Sequence, residues 1–253
     1  MIEARNLTKA YGRHFALQDV SFTLEEGKLY GLLGVNGAGK TTTLQLLSGY
    51  LEPSEGEVAV DGISMEKDPV ACKRKISYLP EVPPLYPEFT VGEYLDLCAQ
   101  LRGIPKKDIR KEKEAALAKG ALRRVNNKLI GQLSKGFRQR VGFAAALIGD
   151  PEILLLDEPT NGLDPVQIVT LRNQLIELKK DKVVVVSSHV LSEIEQLADE
   201  YLIIAAGRLV ARGKCDGSES LEELFLDVTQ KAYAEIARKE AEEEALWEEE
   251  NDD

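Results

Sequence analysis

Gly34-Val35-Asn36-Gly37-Ala38-Gly39-Lys40-Thr41 is the stretch whose reading decides the fold. It fits G-x-x-x-x-G-K-[ST], a loop whose glycines let backbone N–H groups close around phosphate oxygens. Lys40 in that pattern reaches the terminal phosphates, and the Thr41 hydroxyl can hold Mg²⁺. Asn36, Gly37 and Gly39 form the cradle, and Thr42 follows on its far side. The context agrees in both directions. Residues 28–33 (Lys-Leu-Tyr-Gly-Leu-Leu) read as a short buried strand, and residues 42–48 as a helix whose N-terminus faces the anion. The chain is therefore expected to bind a nucleoside triphosphate together with Mg²⁺.

Length and charge narrow what it does with that nucleotide. A chain of 253 residues accommodates one domain with an insertion, or two small domains. The longest unbroken apolar runs, 143–148 and 201–206, fall far short of the ~20 residues of a membrane helix. The first residues, Met1-Ile2-Glu3-Ala4-Arg5-Asn6, lack a signal-peptide pattern, so a cytoplasmic chain is expected. Cys72, Cys98 and Cys215 are odd in number and widely spaced, which favours reduced packing residues over disulfides or zinc. The net charge of −11 resides in residues 219–253, with 14 acidic and 3 basic side chains; the remainder holds 29 of each. A balanced body with no basic excess argues against nucleic acid as a partner.

Along the chain, residues 1–30 read as short strands joined by turns at Tyr11-Gly12 and Glu26-Gly27. Further strands are expected at 56–60, before the Asp61-Gly62 turn, and at 75–79, before Pro80. Thr90-Val91-Gly92-Glu93 is a capping box, and Tyr94, Leu95, Leu97, Cys98 and Leu101 follow at helical spacing. Residues 106–119 form a charged surface helix, and residues 137–148 another helix. After that, strands at 153–156, 183–187 and 201–205 alternate with helices at 166–179 and 191–198. This order predicts a parallel α/β core with a helical insertion.

Ile153-Leu154-Leu155-Leu156-Asp157-Glu158 is an apolar strand ending in two carboxylates. Beside a phosphate loop, Asp157 can join the Mg²⁺ shell, and Glu158 can orient or deprotonate water.

The surrounding motifs resemble those of ABC ATPases, in order and spacing, from Ile2 to about Gly213. Leu133-Ser134-Lys135-Gly136-Phe137-Arg138-Gln139-Arg140 is similar to the signature motif. Residues 156–165 (Leu-Asp-Glu-Pro-Thr-Asn-Gly-Leu-Asp-Pro) resemble the Walker B and D-loop segment, Ser187-Ser188-His189 the switch histidine, and Tyr11 the adenine-stacking aromatic. The resemblance implies a P-loop NTPase core at 1–81 and 146–215 with an N-terminal antiparallel β subdomain. It also implies a helical subdomain at 82–145 and a C-terminal helix with an acidic tail at 216–253. It further implies two ATPase domains, as homodimer or heterodimer, meeting head to tail around two ATP molecules. Ser134, Lys135, Gly136 and Asp164 would then act on the nucleotide held by the other subunit's loop, and His189 would hold the γ-phosphate or the attacking water. A membrane-embedded permease would hold the subunit on the cytoplasmic face.

Three positions depart from the family pattern. Lys135 and Phe137 replace a glycine and a glutamine of L-S-G-G-Q, and Glu81 stands where the family has a glutamine. Glu81 remains a hard oxygen ligand for Mg²⁺. Lys135 either adds positive charge at the interface or is simply solvated. L-S-K-G together with this glutamate resembles exporter-type ATPases of the multidrug and gliding-motility kind. An ATPase serving a soluble assembly, with no transport role, is the alternative. At the C-terminus, Leu221, Leu224, Phe225 and Val228 form an apolar helix face. The glutamates at 242–244 and 248–250 repel one another and predict a fraying tail. That tail is either solvated or in contact with a basic partner through Trp247.

Overall fold

The computed structural model describes residues 1–12, 14–218 and 220–251, with 239–251 as backbone. Four strands form an antiparallel sheet. β1 (Ile2–Tyr11) lies between β2 (His14–Leu24) and β4 (Glu55–Val60), and the short β5 (Ile63–Ser64) pairs with β4. The second sheet is built on β3 (Lys28–Leu33), with β6 (Ile76–Leu79), β7 (Ile153–Asp157), β8 (Val183–Ser188), β9 (Glu200–Ala205) and β10 (Arg208–Lys214). Its order is β10-β9-β3-β8-β7-β6, parallel throughout except between β9 and β10.

Every residue of β7 and β8 is buried. Both faces of the sheet are covered, which is why these strands read as continuous apolar runs rather than alternating ones. Their polar members, Asp157, Ser187 and Ser188, all fall at the C-terminal ends. Register sets Asp157 opposite Ser187, and Leu33 opposite Ser188. In open parallel sheets that edge is where ligands bind.

Three apolar clusters hold the chain together. On one face of the parallel sheet, Tyr30, Leu32, Leu155 and Val185 meet α1 (Lys40–Leu47) and the antiparallel sheet through Leu44, Leu47, Ile2 and Leu7. On the other, Leu154, Leu156, Val184 and Val186 meet α5 (Lys135–Ala146), α6 (Pro165–Leu178) and α7 (Leu191–Leu197) through Phe143, Leu171 and Ile194. The third cluster lies among helices: Val91 and Leu95 of α3 (Val91–Leu101), Leu117 of α4 (Lys106–Lys119) and Val141 of α5. The capping box of α3 is complete, with Glu93 N–H donating to Thr90 Oγ1 and Thr90 N–H to Glu93 Oε2.

The structure departs from the sequence reading in four places. A short helix, α2 (Pro69–Lys75), precedes β6, so Lys75 ends a helix and the strand begins at Ile76. Asp68 caps it by accepting from Ala71 N–H at 3.0 Å. The helix expected from 137 begins at Lys135, because Ser134 caps it and accepts from Phe137 N–H. β10 was not anticipated; it returns antiparallel on β9 through Ala206 and Gly207, both at positive φ as a tight hairpin turn requires. Finally, α8 (Leu221–Asn251) continues through the acidic tail where fraying was expected. Alanines at 232, 234, 237, 241 and 245, with glutamate and lysine between them, are strong helix formers. The side chain of Trp247 lies outside the described ones.

Candidate functional site

The phosphate-loop motif runs between β3 and α1 in a conformation that needs its glycines. Gly39 has φ 114°, and a Cβ there would stand 2.7 Å from the Ala16 carbonyl oxygen. A Cβ on Gly34 would stand 2.4 Å from the Ile204 carbonyl oxygen. Lys40 is only 7% exposed. Its ammonium donates to the carbonyls of Gly34 at 2.8 Å and Val35 at 3.3 Å, and lies 3.7 Å from Glu158 Oε1. A buried cation surrounded by oxygen acceptors matches what phosphate oxygens offer.

A cavity of about 370 Å³ opens above this loop at the C-terminal edge of the parallel sheet. Asn36, Gly37, Gly39, Lys40, Thr41, Thr42, Glu81, Glu158 and His189 all line it. Asp157 sits beside them, 1% exposed, with both oxygens engaged. Oδ2 accepts from Thr41 Oγ1 at 2.7 Å and Oδ1 from Ser187 Oγ at 2.6 Å. Ser187 Oγ in turn accepts from Glu158 N–H at 2.9 Å. Glu158 has φ 46°, a left-handed backbone that a side chain rarely adopts, held here by that hydrogen bond. His189 Nδ1 is 2.9 Å from Glu158 Oε2; facing a carboxylate, it carries the proton and donates. Burial, followed by the neighbouring charge of Asp157, pushes the Tyr78 phenol upward, so a neutral hydroxyl stands beside the carboxylate.

The other expected residues lie outside the cavity walls. Tyr11 is half exposed at the end of β1, with the Lys9 ammonium 5.5 Å from its ring centre. Ser134, Lys135, Gly136 and Asp164 gather elsewhere on one surface. A Cβ on Gly136 would meet the Gly162 carbonyl and Gln167 Oε1, each at 2.9 Å, and the methylenes of Lys135 lie against Gly162. Asp164 caps α6 by accepting from Gln167 N–H at 2.9 Å. Two residues of the site escaped the sequence reading. Ser187 was visible as the polar end of an apolar run, but its link between Asp157 and Glu158 requires strand register. Asn161, which lines the cavity and donates to Glu81 Oε1 at 3.0 Å, was hidden inside a motif read for its acidic members.

The donors suit Mg²⁺ in kind. Thr41, Asp157 and Glu81 offer hydroxyl and carboxylate oxygens, and no group of three His, Cys, Asp or Glu forms a cage among the described residues. Mg²⁺ takes one or two carboxylates plus phosphate oxygens rather than an all-protein shell.

The comparisons with known proteins agree with this geometry. Residues 17–161 match the family model described as ABC transporter. The bacitracin transport ATP-binding protein BcrA of Bacillus licheniformis is 40% identical over 212 residues, 83% of this chain and 68% of that protein. The lantibiotic transport ATP-binding protein SrtF of Streptococcus pyogenes is 36% identical over 226 residues, 89% of this chain and 96% of that one. A solved ATP-binding subunit of an ABC transporter superposes with a TM-score of 0.83 at 32% identity, covering 90% of this chain and 99% of its own. The dimeric, post-hydrolysis cassette MJ0796 bound to ADP and Pi gives 0.79 at 28% identity, covering 86% and 100%. Among the described residues no helix is long and apolar enough to cross a membrane. With phosphate loop, paired carboxylates and histidine converging on one cavity in this architecture, the chain belongs to the ABC transporter family, as an ATP-binding and ATP-hydrolysing subunit.

Proposed function

We propose that this chain powers a membrane exporter, working with Mg²⁺ and attached to the cytoplasmic face through an embedded permease. A second ATPase subunit meets it head to tail. The observation that carries the reading is the buried Lys40 ammonium paired at 3.7 Å with Glu158 in the lining of one cavity, with the Thr41–Asp157–Ser187 chain of hydrogen bonds beside it. The separation of two half-sites supports the pairing. Ser134 opens α5 with free N–H groups and the positive end of the helix dipole, yet lies outside this chain's own cavity. A partner's Ser134, Lys135, Gly136 and Asp164 would complete the site. Export is supported by the relatives named for bacitracin and lantibiotic transport, and by the Lys135 and Glu81 pattern. The three apolar clusters support a core at 1–81 and 146–215 and a helical subdomain at 82–145, and Leu221 and Leu224 support a C-terminal helix, followed by an acidic tail, as the remaining unit at 216–253.

Each residue then has a task. Tyr11 stacks on the adenine. Asn36, Gly37, Gly39 and Thr42 cradle the phosphates, and Lys40 balances charge on the terminal ones. Thr41, Asp157 and Glu81 would hold Mg²⁺, which would neutralise phosphate charge when bound. Glu158 accepts a proton from the attacking water, and its strained backbone keeps it aimed at the cavity. With Nδ1 donating to Glu158, the outer nitrogen of His189 is an acceptor and holds the attacking water. Positioning and charge account for most of the acceleration in such a transfer.

The test is ATP hydrolysis by wild type and Glu158→Gln, with oligomeric state recorded with and without ATP. Turnover by wild type, and an inactive variant that dimerises with ATP, is the expected pair of results. Hydrolysis by a strict monomer would overturn the composite site.

A further inference from the structure

The geometry points to Asn161 as a positioning residue for Glu81, a role that rests on the metal assignment of Glu81 above. Asn161 Nδ2 donates to Glu81 Oε1 at 3.0 Å, and both residues line the nucleotide cavity. They belong to segments that leave adjacent parallel strands: Glu81 follows β6 and Asn161 follows β7. Their anchoring differs. Asn161 is fixed by the turn that carries Glu158, its own N–H donating to the Glu158 carbonyl at 3.1 Å. Glu81 is exposed and has no other hydrogen bond or ion pair among the described residues. A glutamate with three free torsions and a solvated head would sample many rotamers. One hydrogen bond from the amide of a fixed neighbour narrows that set.

The remaining oxygens of the cavity show what this achieves. Both oxygens of Asp157 accept hydroxyl protons, from Thr41 and Ser187. Those of Glu158 face His189 and Lys40. Glu81 Oε2 is the cavity carboxylate oxygen without a partner among the described residues. With Oε1 held by Asn161, Oε2 is left to the cavity that Glu81 lines together with Lys40 and the phosphate loop. Negative charge placed there against phosphate is favourable only with a divalent cation between them. Asn161 therefore acts on metal capture through Glu81, and links the segment after β6 to the segment carrying Asp164.

The experiment uses Mn²⁺ as a spectroscopic probe with ATP, in the full chain carrying Glu158→Gln so that turnover does not intervene. Free Mn²⁺ is read by electron paramagnetic resonance. Asn161→Ala is expected to weaken Mn²⁺ binding roughly tenfold, the scale of one hydrogen bond to a charged group. Glu81→Ala is expected to weaken it at least as much, and the double variant no more than Glu81→Ala alone. Should alanine disturb the turn, the similarly shaped Asn161→Leu removes the donor without adding charge and is expected to give the same weakening. If Glu81→Ala weakens binding and neither Asn161 variant does, the positioning role is wrong and the metal role of Glu81 stands. Equal weakening by Asn161→Ala with and without Glu81 also overturns it, since the asparagine would then act alone. Unchanged binding in Glu81→Ala removes the metal assignment and this role with it.

Discussion

Thr41 and Asp157 lie 116 residues apart in sequence and are joined by a 2.7 Å hydrogen bond beside the nucleotide cavity. The bond unites the phosphate loop with the strand end that carries both carboxylates. Asp157→Asn keeps the shape of the side chain but replaces one accepting oxygen with a donor, and it removes the charge. Hydrolysis is expected to fall at least ~100-fold, as on loss of a preorganised charge-stabilising group. Steady-state ATPase assays over a Mg²⁺ series check it; the loss should persist at saturating Mg²⁺.

Ser187 serves both carboxylate residues at once. Its hydroxyl donates to Asp157 and accepts from the Glu158 backbone. Ser187→Ala leaves a buried carboxylate oxygen and a buried N–H without that partner. A loss of ~10–100-fold in kcat is expected, the usual range for a residue that orients catalytic groups. The KM for ATP should move little, because Lys40 and the loop glycines are untouched. An equal loss in affinity and turnover would instead mark general damage to the loop.

Gly31 sits on β3 where α7 crosses the sheet. A Cβ there would stand 2.2 Å from Ile194 Cγ2, well inside contact distance. Gly31→Ala is expected to destabilise the fold by about 1–3 kcal/mol through overpacking. Ile194→Ala should partly rescue it, so the double variant is expected to lose less than the sum of the single variants. Urea denaturation of the four proteins supplies the cycle.

Much of this was legible in the sequence, and what escaped has a physical pattern. The phosphate loop, the strand at 153–157 and the capping box at Thr90 carry their information within a few neighbours, so a local reading finds them. Asp68-Pro69 is also a local helix-start signal, but the helix it opens is only seven residues long and runs directly into the strand at Ile76. β10 is different: its residues are only half buried, and it is a strand because it pairs with β9 across a tight turn. Ser187 and Asn161 escaped for a related reason. Their roles depend on which strand lies beside which, and strand order is a property of the whole sheet. Ser134 stands out by its motif, whereas its place outside the cavity walls is visible only in the fold.

A last prediction concerns pH. Lys182 is buried, 4% exposed, and donates to Asp150 Oδ1 at 2.8 Å, whereas the Asp150 side chain is largely exposed. The hydrogen bond from Lys182, reinforced by its charge and that of Lys119, holds the Asp150 carboxyl below its ordinary value of 3.8, against the opposing effect of burial. A carboxyl depressed in the native state stabilises the fold fully above its unfolded value, and that stabilisation disappears as pH falls through the native one. Asp150→Asn isolates this contribution, since asparagine tolerates the φ of 48° found there. Solvent screening of the exposed carboxylate limits the expected loss at neutral pH to about 1 kcal/mol, although the buried ammonium left behind pushes it upward. The difference between wild type and variant should be constant from about pH 5 to 7 and shrink below about pH 4. Denaturant titrations across that range measure it. A difference that grows on acidification would mean that the ion pair is not what holds Lys182 in place.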